Sequence, residues 1–317
     1  MSYFKDRELE TLARLEERKR QLPPICNRFF IGAAQRTSSL TRLNYAYDLK
    51  LFFEFLKTEI EIFSDLRIID FKESDLENVE VQHVEMFLEH LGTTNGDKGK
   101  SRKLATLRSF FAYLFKVELI SKNILPNVDM PKIREKTITR LDNEEMRTML
   151  ESIENMRDRT IVLMFLATGI RVSELVGLDI YDIDFKNESF RVTRKGGKQE
   201  ILYMPTELVE QLAIYLGTFS NDQSTPLFPS TKSRRITVRA VQNIVKKYAS
   251  IAAPLKNISP HKLRSTFGTN LYRETGDIYV VADVLGHRDV NTTKKHYAAM
   301  SEDVKREAAS RVKILED

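Results

Sequence analysis

Ser189-Phe190-Arg191-Val192-Thr193-Arg194-Lys195-Gly196-Gly197-Lys198-Gln199-Glu200-Ile201-Leu202-Tyr203-Met204 is the stretch that decides the fold class. At both ends apolar and polar residues alternate with period two, as they do on the two faces of a strand. The spacing predicts strands over Ser189–Thr193 and Glu200–Met204. The segment between them, Lys195-Gly196-Gly197-Lys198, has the glycines a tight hairpin turn demands. This is the one clear β element in a chain whose other apolar patterns are helical. The expected fold is therefore mainly α with a small β-hairpin or sheet.

Outward from the hairpin, helices are expected on both sides. Toward the C-terminus they cover 206–216, 237–252, 260–274, 277–285 and 291–300, with a last amphipathic helix at 302–314. Toward the N-terminus they cover 142–153, 158–168 and 171–177, with Gly169 ending the second. The first half reads as helices at 1–21, 39–58, 81–91 and 100–115. Leu49, Phe52, Phe53 and Leu56 mark the 39–58 stripe at i, i+3, i+4, i+7, and Thr37 or Ser38 is a fitting cap. Pro23-Pro24 stops the first helix, whose role the sequence leaves unassigned. Residues 126–140 hold two prolines, four cations and no apolar stripe, and read as a basic linker. The expected layout is an N-terminal helical domain at 1–125, a linker at 126–140 and a second domain at 141–317.

Composition narrows the class. A length of 317 residues suits two domains, each able to bury a core. With 42% hydrophobic and 30% charged residues the chain reads as a globular protein. No apolar run approaches a membrane span, and the charged start lacks a secretion signal's apolar stretch. The single cysteine, Cys26, excludes an internal disulfide and a Cys-rich zinc site. The expected setting is reducing and cytoplasmic, with no membrane. Net charge is +5 with an uneven distribution. Residues 51–97 carry twelve acidic side chains against three basic, a balance of −9; residues 98–140 carry eleven basic against three acidic, a balance of +8. One face is thus suited to phosphates.

Four local patterns carry chemistry. Thr168-Gly169-Ile170-Arg171-Val172-Ser173-Glu174 delivers an arginine at a helix start, with Glu174 on the same face. A guanidinium stays charged and donates two parallel hydrogen bonds to a phosphate. Ser259-Pro260-His261-Lys262-Leu263-Arg264 opens a helix, and His261 and Arg264 at i, i+3 set a titratable ring beside a fixed cation. Leu285-Gly286-His287 exposes an imidazole at a helix end, and Tyr297 follows ten residues later. Lys195 stands at the hairpin tip, where an ammonium can donate a proton to a leaving oxygen. Each pattern alone is equally a surface pair, a cap or a core residue. No acidic or His/Cys metal cluster is apparent, which argues against a metallonuclease, and no cofactor is expected.

Taken in order, Arg-x-x-Glu, the Lys-tipped hairpin, His-x-x-Arg, Leu-Gly-His and Tyr resemble the tyrosine recombinase, or phage integrase, family, near its Xer and mobile-element integrase branches. The resemblance covers nearly the whole chain. It implies a helical core-binding domain at 37–131 and a mixed, mostly helical catalytic domain at 141–315. It also implies that Arg171, Arg264 and His287 hold the scissile phosphate, that Lys195 is the general acid, and that His261 assists proton transfer. Tyr297 would be the nucleophile of a 3′-phosphotyrosyl link, and Glu174 would orient Arg171. Ser265 stands where many relatives carry a second histidine, which alters local support and leaves the six catalytic residues intact.

The implied partner is double-stranded DNA with a specific recombination site. The implied assembly is a homo-oligomer, a dimer on one site and a tetramer in the synapse, with a related recombinase subunit or an accessory protein as further partners. The tail after Tyr297 would dock on a neighbouring subunit. Arg239, Gln242 and Asn243 are candidates for base-edge contacts, and Lys98, Lys100, Arg102 and Lys103 for phosphate contacts. The biological role would be chromosome-dimer resolution or integration and excision of a mobile element. Two rivals stand beside this reading. One is a type IB topoisomerase-like nicking-closing enzyme, against which the two-domain layout and the tail argue. The other is a non-catalytic architectural DNA-binding protein, against which the complete residue set argues.

Overall fold

A computed structural model describes residues 3–93, 96–131, 139–194, 197–218, 226–230, 234–286 and 289–290. The chain divides into a unit of residues 1–136 and a unit of residues 137–317. The expected helices at 291–300 and 302–314, the centre of the expected linker, and the hairpin tip lie outside the described residues.

Among the described residues the regular structure of the first unit is all helical. Helix α1 (Tyr3–Lys19) is followed by α2 (Ile25–Ala34), α3 (Ser39–Glu59), α4 (Glu73–Glu77), α5 (Val81–His90) and α6 (Asp97–Lys116). Helix α3 starts where the sequence places a cap: the Ser38 hydroxyl accepts the Thr41 N–H at 3.3 Å. Its apolar stripe, Leu49, Phe52, Phe53 and Leu56, is completely buried. These side chains meet Phe87 of α5 and Phe110 and Phe111 of α6, with many edge-on ring contacts between 5 and 6.5 Å. Helix α1, whose role the sequence leaves unassigned, packs along α3. Leu15 is buried, the Ser39 hydroxyl donates to Glu8, and the Arg18 guanidinium lies 4.6 Å from the Tyr47 ring centre.

The second unit holds α7 (Asn143–Glu151), α8 (Met156–Thr168), α9 (Val172–Gly177), α10 (Thr206–Leu216), α11 (Val238–Ala252), α12 (Pro260–Thr275) and α13 (Ile278–Val284). Between α9 and α10 lies an antiparallel sheet of β1 (Ile183–Asp184), β2 (Ser189–Thr193) and β3 (Gln199–Tyr203), in that order. Phe190 pairs with Leu202 and Arg191 with Ile201. Phe190, Val192 and Leu202 are buried while Arg191, Ile201 and Tyr203 face outward, the alternation read from sequence. Helix α8 is buried on nearly every side, from Thr160 to Phe165. Helices α10 and α12 flank it. The architecture is thus mainly α with a small three-stranded sheet. Among the described residues no helix is long and apolar enough to cross a membrane.

Candidate active site

The end of α8 sets the site. Gly169 caps it in the left-handed region, φ 59°, and its N–H donates to the Phe165 carbonyl. Only glycine adopts that conformation without strain. The chain then turns through buried Ile170 and leaves Arg171 extended at the start of α9. Glu174, 3% exposed, holds Arg171 twice. It accepts the Arg171 N–H at 3.0 Å and Nη1 at 2.7 Å. The Arg171 side chain remains about one-third exposed.

Helix α12 supplies the second cation. Pro260 occupies its first position, so His261 and Arg264 fall in its first turns. His261 is exposed and Arg264 is buried. Arg264 donates from Nη1 to the Gly169 carbonyl and from Nη2 to the Leu285 carbonyl. Leu285 follows α13, whose cap Asp277 accepts the Tyr279 N–H at 2.7 Å. The Leu285 carbonyl also accepts Arg171 Nη2 at 3.2 Å, and the Gly286 carbonyl accepts it at 3.0 Å. Two guanidiniums from distant parts of the sequence thus share one carbonyl oxygen. Two guanidiniums brought to one turn present planar N–H forks of the kind that suit a phosphate oxygen.

The structure therefore brings Arg171, Glu174 and Arg264 together beside the Leu285-Gly286 turn, with His261 on the helix that bears Arg264. Lys195, His287 and Tyr297 lie outside the described residues. Sequence reasoning missed Arg194. Its side chain is 8% exposed, and Nη2 lies 3.0 Å from Glu200 Oε1 while donating to the Val284 carbonyl at 3.3 Å. A signal was available: Phe190 and Val192 face inward on β2, and a period of two puts residue 194 on the same face.

The candidate groove residues fall on two helices. Arg239, Gln242 and Asn243 are exposed on the first two turns of α11, where the Thr237 hydroxyl accepts the Ala240 N–H at 3.1 Å. In the other unit Lys98 is exposed and Lys100 half-buried at the start of α6. Arg102 is turned to Asp48 of α3, donating from Nη2 at 2.7 Å and also from Nη1, and the Thr106 hydroxyl donates to the same carboxylate. Asp48 is 2% exposed. Lys103 is 8% exposed, and burial lowers the pKa of its ammonium, with Asp48 opposing.

The sequence profile described as the phage integrase family matches residues 139–303, and that of the phage integrase N-terminal SAM-like domain matches residues 28–117. Tyrosine recombinase XerC of Caldanaerobacter subterraneus subsp. tengcongensis is 34% identical over 310 residues, covering 91% of this chain and 86% of that protein. Tyrosine recombinase XerC of Pelobacter propionicus is 31% identical, covering 85% and 88%. The fold is shared with the XerH site-specific recombinase in a post-cleavage complex with palindromic difH substrate, with TM-score 0.68, 23% identity and coverage of 88% and 81%. It is shared equally with a lambda integrase dimer on a COC′ core site, with TM-score 0.64, 16% identity and coverage of 84% and 95%.

Proposed function

The chain belongs to the phage integrase family of tyrosine recombinases and is a site-specific DNA recombinase; we propose that it cuts and rejoins strands through a 3′-phosphotyrosyl link at Tyr297. The observation that carries this reading is the convergence of Arg171 and Arg264 on the Leu285 carbonyl, with Glu174 behind Arg171. A phosphodiester gains negative charge on its non-bridging oxygens as a nucleophile attacks. Two fixed guanidiniums are suited to hold that charge. Residues 139–303, the span matched by the catalytic family profile, contain all six proposed catalytic residues.

In the proposed step the Tyr297 phenol, with a reference pKa of about 10, loses its proton to His261. Its oxygen forms a bond to phosphorus as the bond from phosphorus to the 5′ oxygen breaks. Lys195 gives that leaving oxygen a proton. His287 donates a hydrogen bond to the phosphate beside Arg171 and Arg264. A 5′ hydroxyl from the partner strand then reverses each transfer: it gives its proton to Lys195 as its oxygen bonds to phosphorus, and the departing Tyr297 oxygen takes a proton back from His261. The ester conserves the energy of the broken bond, so strands rejoin without a nucleotide cofactor.

The units are proposed as a DNA-clamping domain at 1–125, a basic linker at 126–140 and a catalytic domain at 141–317. The proposed partner is duplex DNA with a specific site, bound by a dimer and paired in a tetramer whose tails after Tyr297 dock on neighbours. A soluble cytoplasmic location fits a DNA substrate. The role is resolution of chromosome dimers or movement of an integrative element.

Covalent trapping tests this. The protein is mixed with nicked, fragmented genomic DNA and denatured, and protein-bound DNA is sequenced. The expected adduct joins a 3′ phosphate to Tyr297 and is absent from Tyr297→Phe. Its sequence locates the site on the chromosome or at the ends of an element. Adducts in the mutant, or a 5′ linkage, would overturn the assignment. Relaxed circles without recombinants from a two-site plasmid would favour a nicking-closing enzyme.

A further inference from the structure

We infer that Arg194 is a positioning residue that ties the base of the Lys195 hairpin to the two phosphate-holding guanidiniums, an inference that rests on the roles proposed for Lys195, Arg171 and Arg264.

The backbone of Arg194 closes the turn in which Lys195 stands in sequence. Its N–H donates to the Lys198 carbonyl at 2.8 Å, and its carbonyl accepts the Gly197 N–H at 3.0 Å. Lys195 is the next residue in the sequence. The Arg194 side chain runs the other way, into the protein, where alternation along β2 calls for an apolar residue. Nη2 lies 3.0 Å from Glu200 Oε1 on β3 and donates to the Val284 carbonyl at the end of α13. Nε lies 3.9 Å from Glu174 Oε1, the oxygen that also holds Arg171 Nη1. Nη1 packs on Gly286, where a Cβ would come within 0.9 Å of it. The Gly286 carbonyl is in turn an acceptor for Arg171. One side chain therefore touches the sheet, the carboxylate behind Arg171 and the turn that both arginines grip.

Stability does not account for this placement. Burial is the largest influence on the Arg194 charge and lowers its pKa, with Glu174 and Glu200 opposing. Nε and Nη1 are buried and have no hydrogen-bond acceptor among the described residues. A buried cation with two such nitrogens is a weak stabiliser, and an apolar side chain of similar volume packs as well. What an apolar residue cannot do is fix the hairpin base to Glu174 and Val284 at set distances. Arg194 is too enclosed to serve as a phosphate contact itself.

The test separates positioning of the acid from general damage. Single-turnover cleavage is measured on a nicked substrate carrying the site recovered by trapping, with either oxygen or sulfur as the 5′ leaving atom. A thiol ionises at about pH 8.5, whereas a sugar hydroxyl ionises only at far higher pH and leaves poorly without a proton. The sulfur substrate therefore needs no acid. Arg194→Met is expected to cut the oxygen substrate roughly ten- to a hundredfold more slowly, a partial loss beside the roughly hundred- to ten-thousandfold of an acid removed outright. It should cut the sulfur substrate within about threefold of wild type, which also reports an intact fold. Arg194→Lys, which keeps the charge but not the reach, should show the same split with a smaller loss, and it carries the test if the methionine variant does not fold. An equal loss on both substrates, or none on either, overturns the inference. Lys195→Ala is run beside them. If sulfur does not restore it, the assignment of Lys195 as acid fails, and the inference falls with it.

Discussion

Glu174 is the residue on which the charge balance of the site turns. It is 3% exposed, pairs with Arg171 through Nη1 and the backbone N–H, and lies 3.9 Å from Arg194. Removing its charge takes from the buried Arg194 one of the carboxylates that oppose its desolvation. Breaking one partner of a buried pair typically costs 3–5 kcal/mol. The Arg171 share is screened because that side chain is partly exposed. Glu174→Gln is thus expected to lower stability by about 3 kcal/mol in urea unfolding. Cleavage should fall roughly a hundredfold, with a much smaller change in DNA affinity, because the oriented charge matters most as the phosphate reacts. Gly286 gives a second prediction at this scale. It sits at φ 58° with Arg194 Nη1 where a Cβ would be. Gly286→Ala should cost about 2 kcal/mol, part backbone strain and part displacement of Arg194. In an Arg194→Ala background only the strain should remain. A double-mutant cycle by urea unfolding reads the difference as coupling, and strict additivity would show that Arg194 does not pack on that turn. The pairing of Arg171 with Glu174 was legible because i, i+3 spacing on a helix determines which side chains are neighbours, whereas on α12 the same spacing leaves His261 exposed and Arg264 buried. The meeting of Arg171 with Arg264 at the Leu285 carbonyl was not, because it depends on how α8, α12 and α13 pack. Arg194 was overlooked because an arginine beside a lysine at a turn reads as solvated, although strand alternation already put it inward.

At the scale of elements, helix ends place the chemistry. Gly169 and Gly276 form a natural comparison. Both end helices with positive φ, 59° and 64°. A Cβ on Gly169 would lie 2.4 Å from Phe267 and 2.9 Å from Leu285, whereas nothing lies within 4 Å of one on Gly276. Gly276→Ala should therefore cost only the left-handed strain, about 1 kcal/mol, and leave cleavage unchanged. Gly169→Ala should cost about 2–4 kcal/mol, because overpacking adds to strain. It should also slow cleavage, since the Gly169 carbonyl holds Arg264 and Arg171 lies two residues on. Thermal unfolding and single-turnover rates check both, and equal effects at the two glycines would refute the argument. Long periodic helices such as α3, α6, α11 and α12 were legible to within a few residues, and so was the β2–β3 pair. Helix α2 was not. Pro23-Pro24 reads as a stop, yet the second proline precedes Ile25 and opens a new helix that buries Cys26, Phe29 and Phe30. Helix α4 spans five residues and β1 two, too short for any period to register.

At the scale of the whole molecule, the proposed grip of both units on DNA has an ionic-strength dependence that is calculable. Each lysine that neutralises a phosphate releases counterions, so the slope of log affinity against log salt changes by about 1 per contact. The first unit carries its cations in two settings on one helix. Lys98 and Lys100 are accessible at the start of α6, while Arg102 is held by buried Asp48 and Lys103 is itself buried. Charge counting along the sequence treats all four alike, because the carboxylate that claims Arg102 comes from α3, over fifty residues away. The ion pair with Asp48 sets Arg102 apart, although its own side chain is 49% exposed, and burial sets Lys103 apart. Replacing Lys98 and Lys100 together by alanine should shallow the slope by about 2 and leave unfolding unchanged. Replacing Arg102 should shallow it by less than 1, and should instead destabilise the first unit by exposing Asp48 to an interior without its counter-charge. Lys103→Met should leave the slope unaltered. Fluorescence anisotropy with the target duplex between about 50 and 200 mM salt measures the slopes, and urea unfolding measures stability. If Arg102 and Lys103 shift the slope as much as Lys98 and Lys100 do, then Asp48 releases its partner on DNA and the ion pair belongs to the unbound protein alone. A slope confined to the two lysines would mean that the α3–α6 pair is a structural tie, leaving the N-terminal end of α6 as the part of this helix that meets the phosphate backbone.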